Sequence, residues 1–132
     1  GRHYLIHGDF HPENIIFNKK YPKKITIIDF TDICLGDFAR DLGNFIEQLN
    51  FMGARDKIKH QLLEKWEKQF LAAYFKARHL KLTFNLKNRI FLYRTLAAFR
   101  TTIYYLSSGK YFNAKDAKTT LAITKKWLEK IK

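Results

Sequence analysis

The spacing of the apolar residues changes once along this chain of 132 residues, near Phe38, and this change constrains the fold more than any other feature. Before it, polar loops separate three short β-type runs, Tyr4–Ile6, Ile15–Phe17 and residues 25–28. After it, apolar residues recur every three or four positions, which is the spacing of one helix face. The sequence therefore predicts an α+β fold that is mainly α, with short strands and loops followed by a helical bundle.

About four helices are predicted after this change. The first begins near Phe38 and ends near Gly53, because glycine is a common helix stop. The other three are expected over residues 56–78, 85–107 and 114–131. Asn85 is expected to cap the third helix. The second is expected to bury one stripe, formed by Ile58, Leu62, Trp66, Phe70 and Ala73. A similar stripe on the fourth contains Leu121, Trp127, Leu128 and Ile131.

The composition favours a packed intracellular domain. Hydrophobic residues make up 46% of the chain, and twelve Phe and seven Tyr are ample for a core. No run approaches the roughly 18 apolar residues that span a bilayer, and the first residues lack the apolar region of a signal peptide. The single cysteine, Cys34, cannot form an internal disulfide, which agrees with a reducing compartment. We therefore expect a cytoplasmic protein with no membrane partner.

The net charge of +13 suggests an anionic partner, which could be nucleic acid, a membrane surface or a phosphorylated ligand. No acidic residue lies between Glu67 and Asp116, although this interval contains many Lys and Arg residues. These basic residues are either solvated helix faces or a surface that faces an anion, and the sequence leaves both possibilities open.

The strand and loop segment carries the groups that phosphoryl transfer needs. This reaction requires a carboxylate that orients the attacking hydroxyl and oxygen ligands that hold magnesium on the phosphates. The pattern His-x-Asp-x-x-x-x-Asn places Asp9 and Asn14 on one loop after a strand, and Asp29 ends the third β-type run. Each residue taken alone is an ordinary loop or turn residue, but the combination and its spacing favour a kinase.

Residues 7–42 resemble the aminoglycoside phosphotransferase and choline kinase superfamily, whose members share a protein-kinase-like fold. That family shows His-Gly-Asp-x-x-x-x-Asn, then Ile-Asp-Phe or Ile-Asp-Trp, then Gly-Asp-x-x-x-Asp-Leu, and the same order occurs here. The resemblance implies the C-terminal lobe of a kinase that uses ATP as phosphoryl donor and Mg²⁺ as cofactor. Protein kinases have Arg in place of Gly8 and Gly in place of Thr31, so the small-molecule branch matches better.

The resemblance also implies a role for each matching residue. Asp9 matches the catalytic base, and Asn14 and Asp29 match the magnesium ligands. His7 matches the histidine that orients the loop by hydrogen bonding. Three further residues match positions that brace the segment after the metal-binding Asp: Gly36, Asp37 and Asp41. Asp32 lies where the family often has an acidic residue near the substrate, and it is equally consistent with a solvated loop residue.

The nucleotide-binding lobe of the family has no counterpart in residues 1–132, which contain no Gly-rich phosphate loop ahead of the catalytic loop. We expect that lobe to lie upstream in a longer protein. Residues 1–37 are then the catalytic and metal-binding segment, and residues 38–132 are the helical substrate-side subdomain. The polypeptide 1–132 by itself is expected to be inactive.

The family builds its acceptor pocket mainly from the helices that follow the metal-binding strand. A polycationic aminoglycoside would need clustered acidic residues there, and the interval from Lys68 to Lys115 has none. A small neutral or anionic molecule with a hydroxyl group is the better fit. Two alternatives remain open: a pseudokinase or scaffold, which the upstream sequence would reveal, and a basic nucleic-acid-binding helical module, which would not explain the spacing of Asp9, Asn14 and Asp29.

Two other chemistries are not favoured by the sequence. His3, His7 and His11 would lie on one face of a helix as zinc ligands, but Gly8 and Pro12 argue against a helix there. Cys34 lies in an apolar segment that we interpret as a loop, without the neighbours that activate a nucleophilic thiol.

Overall fold

The computed structural model describes residues 3–107 and 114–130. In these ranges the strands are β1 (Tyr4–Ile6), β2 (Ile15–Phe17), β3 (Ile25–Ile27) and β4 (Cys34–Gly36), and a 3₁₀ turn covers Pro12–Asn14. The helices are α1 (Ala39–Arg55), α2 (His60–Ala77), α3 (Phe84–Ser107) and α4 (Ala114–Leu128). The predicted α+β, mainly helical architecture with four helices is therefore confirmed. In the same ranges, no helix combines the length and the apolar character needed to cross a membrane.

The strands form two antiparallel pairs. β2 pairs with β3 as a hairpin in the register Ile15 to Ile27, and β1 pairs with β4 in the register Tyr4 to Gly36. The expectation that Cys34 lies in a loop is wrong, because Cys34 begins β4 and pairs with Ile6. These two pairings therefore bring together the chain segments that lie on either side of each polar loop.

The core lies where α1 packs between α2 and α3. Leu42 and Ile46 are one helical turn apart on α1, so they lie on the same face, and both are almost fully buried. Burial of each such side chain contributes about 1.5–3 kcal/mol. The rest of the cluster consists of Ala39, Phe75, Leu86 and Ile90. This packing fixes α1 as the platform under the strand and loop segment.

Gly53 lies inside α1, so the predicted stop at Gly53 is wrong. A Cβ atom on Gly53 would come within 2.3 Å of Leu63 Cδ2, and the glycine therefore allows α2 to approach closely. The helix ends two residues later at Arg55, and Lys57, just beyond the C-cap, adopts a left-handed φ of 60°. The N–H of Ile58 then donates to the Gly53 carbonyl at 2.8 Å, which satisfies an orphan carbonyl of the last turn. This turn delays the start of α2 to His60.

The buried face of α2 is rotated by about one residue from the predicted stripe. Leu63 and Phe75 are buried, whereas Leu62 and Trp66 are exposed. Phe70, which belonged to the predicted stripe, is partly buried against the core. The contact of Leu63 with Gly53 sets this rotation, because it fixes which side of α2 faces α1.

The third helix is capped by Thr83 rather than by Asn85. The Thr83 hydroxyl accepts the N–H of Leu86 at 3.3 Å, and the Thr83 carbonyl accepts the N–H of Lys87 at 3.0 Å. Asn85 is already the second residue of α3. The cap therefore lies two residues before the predicted position.

Small and hydroxyl residues mediate the packing of α3 against α4. The buried residues are Ala98 and Thr102 on α3 and Ala117, Thr120 and Thr124 on α4. The hydroxyls of Thr102 and Thr120 are hydrogen bonded at 2.7 Å. Two residues of the predicted α4 stripe, Leu121 and Leu128, are exposed instead, and Ile131 lies outside the described residues. These small residues make the buried part of the contact, and the Phe91 ring of α3 also stacks on the Trp127 ring of α4, with the centroids 5.7 Å apart.

A buried ion cluster joins α1, α2 and α3. Arg94 is only 2% exposed, and its guanidinium lies 3.5 Å from the Glu47 carboxylate and 2.6 Å from the Glu67 carboxylate. The guanidinium also stacks on the Trp127 ring of α4, 3.7 Å from its centroid. The ion pairs offset part of the cost of burying these charges. Arg94 is therefore a structural residue of the core.

Candidate active site

The loop that follows β1 is anchored to the first turn of α1. The backbone N–H groups of His7 and Gly8 donate to the two carboxylate oxygens of Asp41 at 2.8 and 2.9 Å. A carboxylate that receives two backbone N–H groups makes strong charge-assisted hydrogen bonds. Asp41 therefore fixes the start of the loop that carries Asp9.

Asp9 projects from this loop with its two carboxylate oxygens in different environments. Oδ1 accepts hydrogen bonds from Arg100 Nη2 at 2.5 Å and from Asn44 Nδ2 at 3.3 Å. Asn44 also donates to the Phe10 carbonyl at 3.0 Å. Among the described residues Oδ2 accepts no hydrogen bond, and His11 Nε2 lies 3.7 Å from it, which is too long for one. Oδ2 is thus the oxygen that can receive a proton from a substrate hydroxyl.

Asn14 lies at the end of the 3₁₀ turn and is only 6% exposed. Its side-chain Nδ2 donates to the backbone carbonyl of Asp9 at 3.1 Å, so the amide oxygen is the group left to act as a ligand. Its own backbone carbonyl accepts the N–H of Ile28 at 3.1 Å. Asn14 is therefore held both to Asp9 and to the end of β3.

Asp29 follows β3 after a single residue and has a left-handed φ of 63°. Aspartate tolerates this conformation better than most residues. Thr31 Oγ1 donates to Asp29 Oδ1 at 2.9 Å, which leaves Oδ2 available. Because Ile15 is opposite Ile27 in the hairpin, Asn14 and Asp29 lie at the same end of it.

The two oxygen donors fit a magnesium site completed by substrate rather than a protein metal cage. Within residues 3–107 and 114–130, no group of three or more His, Cys, Asp or Glu side chains could hold a metal ion. Mg²⁺ commonly binds one or two protein oxygens and takes its other ligands from water and phosphates. The amide oxygen of Asn14 and the carboxylate of Asp29 have this chemistry.

His7 and Gly8 join the loop that carries Asp9 to the segment after β3. His7 Nε2 lies 2.9 Å from the Ile28 carbonyl, and since a carbonyl only accepts, Nε2 carries the proton in this bond. Gly8 has a φ of +83°, and a Cβ atom there would lie 2.1 Å from the backbone oxygen of Asp32. The Asp32 backbone therefore packs on the loop, while its side chain is exposed. Only glycine fits at position 8.

Gly36 and Asp37 lie at the junction of β4 with α1. Gly36 pairs with Tyr4 of β1. One carboxylate oxygen of Asp37 accepts the N–H of Ala39 at 3.0 Å at the start of α1. The same carboxylate receives Arg89 of α3 through two contacts, of 2.8 and 3.1 Å. The junction is thus tied to both α1 and α3.

A cavity of about 560 Å³ opens beside Asp9. Besides Asp9, its wall consists of His11, Glu13, Gln48, Phe51, Met52, Arg55, Arg100, Thr101, Tyr104 and Tyr105. Burial raises the pKa of the Tyr105 phenol above its ordinary value of 10.0, so this residue contributes a neutral hydroxyl. The cavity therefore combines an apolar wall with hydrogen-bonding groups and cations next to the candidate base.

Sequence reasoning did not single out Arg100 and Asn44, which both contact Asp9. Arg100 is 91 residues from Asp9, and in the sequence it is one of many basic residues of the acid-free interval. Asn44 lies three residues after Asp41, on the same side of α1, and this spacing is the one signal that could have indicated it.

One of the comparisons with known proteins identifies a family. Neither the curated proteins nor the solved structures give a significant match to the chain. The model of the phosphotransferase enzyme family matches residues 1–83, a range that contains the motif residues from His7 to Asp41 and not Arg100. The chain therefore belongs to the phosphotransferase enzyme family.

Proposed function

We propose that this chain supplies the catalytic and metal-binding part of an ATP-dependent kinase that phosphorylates a hydroxyl group of a small molecule. The observation that carries the proposal is the arrangement of Asp9, Asn14 and Asp29. Asp9 lines a cavity, and Asn14 links Asp9 to the end of the hairpin that carries Asp29. Membership of the phosphotransferase family supports the same reaction.

In this mechanism, Asp9 Oδ2 accepts or orients the proton of the acceptor hydroxyl while the hydroxyl oxygen attacks the γ-phosphate in line. Asn44 and Arg100 hold the opposite carboxylate oxygen and so keep Asp9 in one orientation. Asn14 and Asp29 would hold Mg²⁺, which supplies charge neutralisation on the nucleotide phosphates.

The proposal assigns residues 1–37 to the catalytic and metal-binding segment and residues 38–132 to the substrate-side subdomain. In this proposal the nucleotide is held by a lobe in another part of the same protein, as the family resemblance implies. The polypeptide 1–132 is then inactive by itself. A cytoplasmic location, where ATP is available, is part of the same proposal.

The acceptor in this proposal is neutral or anionic. α3, which borders the cavity beside Asp9, contains basic residues and no acidic residue. A polycationic aminoglycoside would have no carboxylates on this helix to pair with its ammonium groups. Sugars, hydroxy acids and phosphorylated alcohols carry no ammonium groups that would need such carboxylates.

The direct test measures ADP formation by the intact protein, which carries both lobes, with ATP, Mg²⁺ and a panel of acceptor alcohols. Acceptor-dependent ADP release, with a phosphorylated product visible by mass spectrometry, is the expected result. Asp9→Ala should abolish it, whereas Glu64→Ala, which changes an exposed residue of α2, should not. Release of ADP that is independent of every acceptor, or turnover by Asp9→Ala at the native rate, would contradict the proposal.

A further inference from the structure

Arg100 uses only part of its hydrogen-bonding capacity on Asp9. A guanidinium group has five N–H donors, and the bond from Nη2 to Asp9 Oδ1 uses one of them. Arg100 makes no other hydrogen bond within residues 3–107 and 114–130, and its side chain is 54% exposed. Both Arg100 and Asp9 line the cavity of about 560 Å³. Unused N–H donors therefore lie beside the carboxylate that would activate the acceptor.

We propose that Arg100 is a specificity-determining residue, which binds a carboxylate or phosphate group of the acceptor while Asp9 orients the hydroxyl of the same molecule. This inference rests on the proposed function and narrows its acceptor to an anionic alcohol. Arg100 contacts Asp9 directly, so the hydroxyl and the anionic group must be separated by only a few bonds. Small hydroxy acids and phosphorylated small polyols have this spacing.

The two arginines on the cavity wall differ in their acidic neighbours. Arg55 lies 3.3 Å from the Asp56 carboxylate and 3.9 Å from the carboxylate of Glu13, which also lines the cavity. Among the described residues, the acidic partner of Arg100 is Asp9 alone, and Asp9 also accepts a hydrogen bond from Asn44. The planar guanidinium is also well suited to carboxylate and phosphate, because its parallel N–H groups bind both oxygens.

The other charged residues of α3 do not add to this preference. Arg94 is buried and paired with Glu47 and Glu67, Arg89 is paired with Asp37, and Lys87 does not line the cavity. The preference for an anion therefore rests on Arg100 itself.

A purely positioning role for Arg100 makes a different prediction. If Arg100 served only to hold Asp9, its loss would lower kcat equally for charged and neutral acceptors. If Arg100 binds the acceptor, its loss raises KM for anionic alcohols and has little effect on KM for neutral ones. Asn44 still holds Asp9 Oδ1 after removal of Arg100, so the two roles can be separated.

The test compares matched probes in thermal unfolding of the intact protein. Glycolate is paired with its neutral amide, glycolamide, and glycerol 3-phosphate is paired with glycerol. We expect at least one anionic probe to raise Tm more than its neutral partner does. Arg100→Gln should weaken binding of that anion about tenfold or more and remove the preference. The two pairs also distinguish a carboxylate site from a phosphate site.

Lys87→Gln is the matched control, because it removes one positive charge from the same helix. Lys87 lies 13 residues before Arg100. This corresponds to about 20 Å along a helix. The control variant should keep the preference of the native protein. Arg100→Lys should keep part of it, because lysine retains the charge but lacks the planar guanidinium.

Three results would overturn the inference: equal stabilisation by charged and neutral probes, no stabilisation by either anion, or an undiminished preference in Arg100→Gln. The binding measurement does not depend on turnover. If the anions bind through Arg100 but the intact protein phosphorylates no acceptor, the anion site stands and the proposed kinase function fails. If neutral alcohols are phosphorylated and the anions do not bind, the kinase function stands and the role of Arg100 fails.

Discussion

The carboxylate of Asp41 accepts the backbone N–H of His7 at 2.8 Å, across 34 residues of sequence. Its second oxygen accepts the N–H of Gly8 at 2.9 Å, so one side chain of α1 holds two consecutive residues of the loop before Asp9. The resemblance placed Asp41 among residues that brace the segment after Asp29. The geometry shows that Asp41 also holds the loop that contains the candidate base.

Asp41→Asn should therefore destabilise the protein and reduce its activity. One carboxylate oxygen becomes an amide NH₂ group, which cannot accept a backbone N–H, and the remaining bond loses its charge. The expected loss is about 1–3 kcal/mol in the free energy of unfolding. Urea unfolding of the intact protein measures it.

Asp56→Asn is a suitable control, because Asp56 is exposed and pairs only with the exposed Arg55 among the described residues. Its effect should stay within about 0.5 kcal/mol. Similar stabilities for the two variants would show that the hydrogen bonds to His7 and Gly8 contribute little.

Gly8→Ala should be more damaging than Gly36→Ala. The backbone of Gly8 has a φ of +83°, and a Cβ atom there would lie 2.1 Å from the Asp32 backbone oxygen. A Cβ on Gly36 would meet the Ile6 Cδ1 atom at 2.8 Å, and that side-chain end can move. We expect Gly8→Ala to cost about 1–3 kcal/mol from backbone strain alone.

The same substitution should lower turnover, because the loops of Asp9 and Asp32 must move apart. Urea unfolding and the ADP-release assay of the intact protein test both effects. Equal costs for the two alanine variants would mean that the contact between Gly8 and Asp32 is relaxed in solution.

The local parts of the fold could be predicted from the sequence. The strands at Tyr4–Ile6 and Ile15–Phe17 are continuous apolar runs bounded by polar turn residues. This pattern depends only on residues that are close in the sequence, so it can be recognised there. The family motif likewise placed Asp9, Asn14 and Asp29 at strand ends, because its spacing is fixed by short loops.

The parts that could not be predicted depend on contacts between distant residues. β4 has only three residues and exists because it pairs with β1, about thirty positions earlier. Arg94 is buried because Glu47 and Glu67 lie opposite it, and a basic residue in a basic helix gives no sign of such partners. Arg100 was indistinguishable from a solvated arginine for the same reason.

Glu47 should make the stability depend on pH. Burial raises the pKa of Glu47 above its ordinary value of 4.5, and the neighbouring Arg94 opposes part of this shift. Since the folded-state pKa is the higher one, the folded protein binds this proton more tightly than the unfolded chain. The stability from this group is fully present below the ordinary pKa and is lost as the pH rises through the raised one.

Glu47→Gln removes this titration. The free energy of unfolding of the native protein relative to Glu47→Gln should therefore fall as the pH rises above the ordinary pKa of 4.5. In Arg94→Met the free energy of unfolding should fall more steeply with pH, because an ionised Glu47 then lacks the Arg94 charge. The substitution should lower the free energy of unfolding by about 3–5 kcal/mol at neutral pH. Urea unfolding across this pH range provides the measurement, and a constant difference between the native protein and Glu47→Gln would contradict the assignment.

Asp9 and Asp29 should differ in what their removal does to catalysis. Asp9 faces the cavity and is assigned to the acceptor hydroxyl, so Asp9→Ala should reduce kcat by orders of magnitude and leave the affinity for ATP and Mg²⁺ nearly unchanged. Asp29 is assigned to the metal, so Asp29→Ala should weaken binding of the metal–nucleotide complex as well as turnover.

Calorimetric titration of ATP with Mg²⁺ into the intact protein, combined with steady-state kinetics, separates these two effects. Thr31→Val serves as a milder probe of Asp29, because it removes the hydroxyl that donates to Asp29 Oδ1 at 2.9 Å and keeps the carboxylate. Its effect on metal–nucleotide affinity should lie between those of the native protein and Asp29→Ala. Mild and equal losses in Asp9→Ala and Asp29→Ala would mean that neither carboxylate has the role assigned to it, because a base and a metal ligand act on different steps of the reaction.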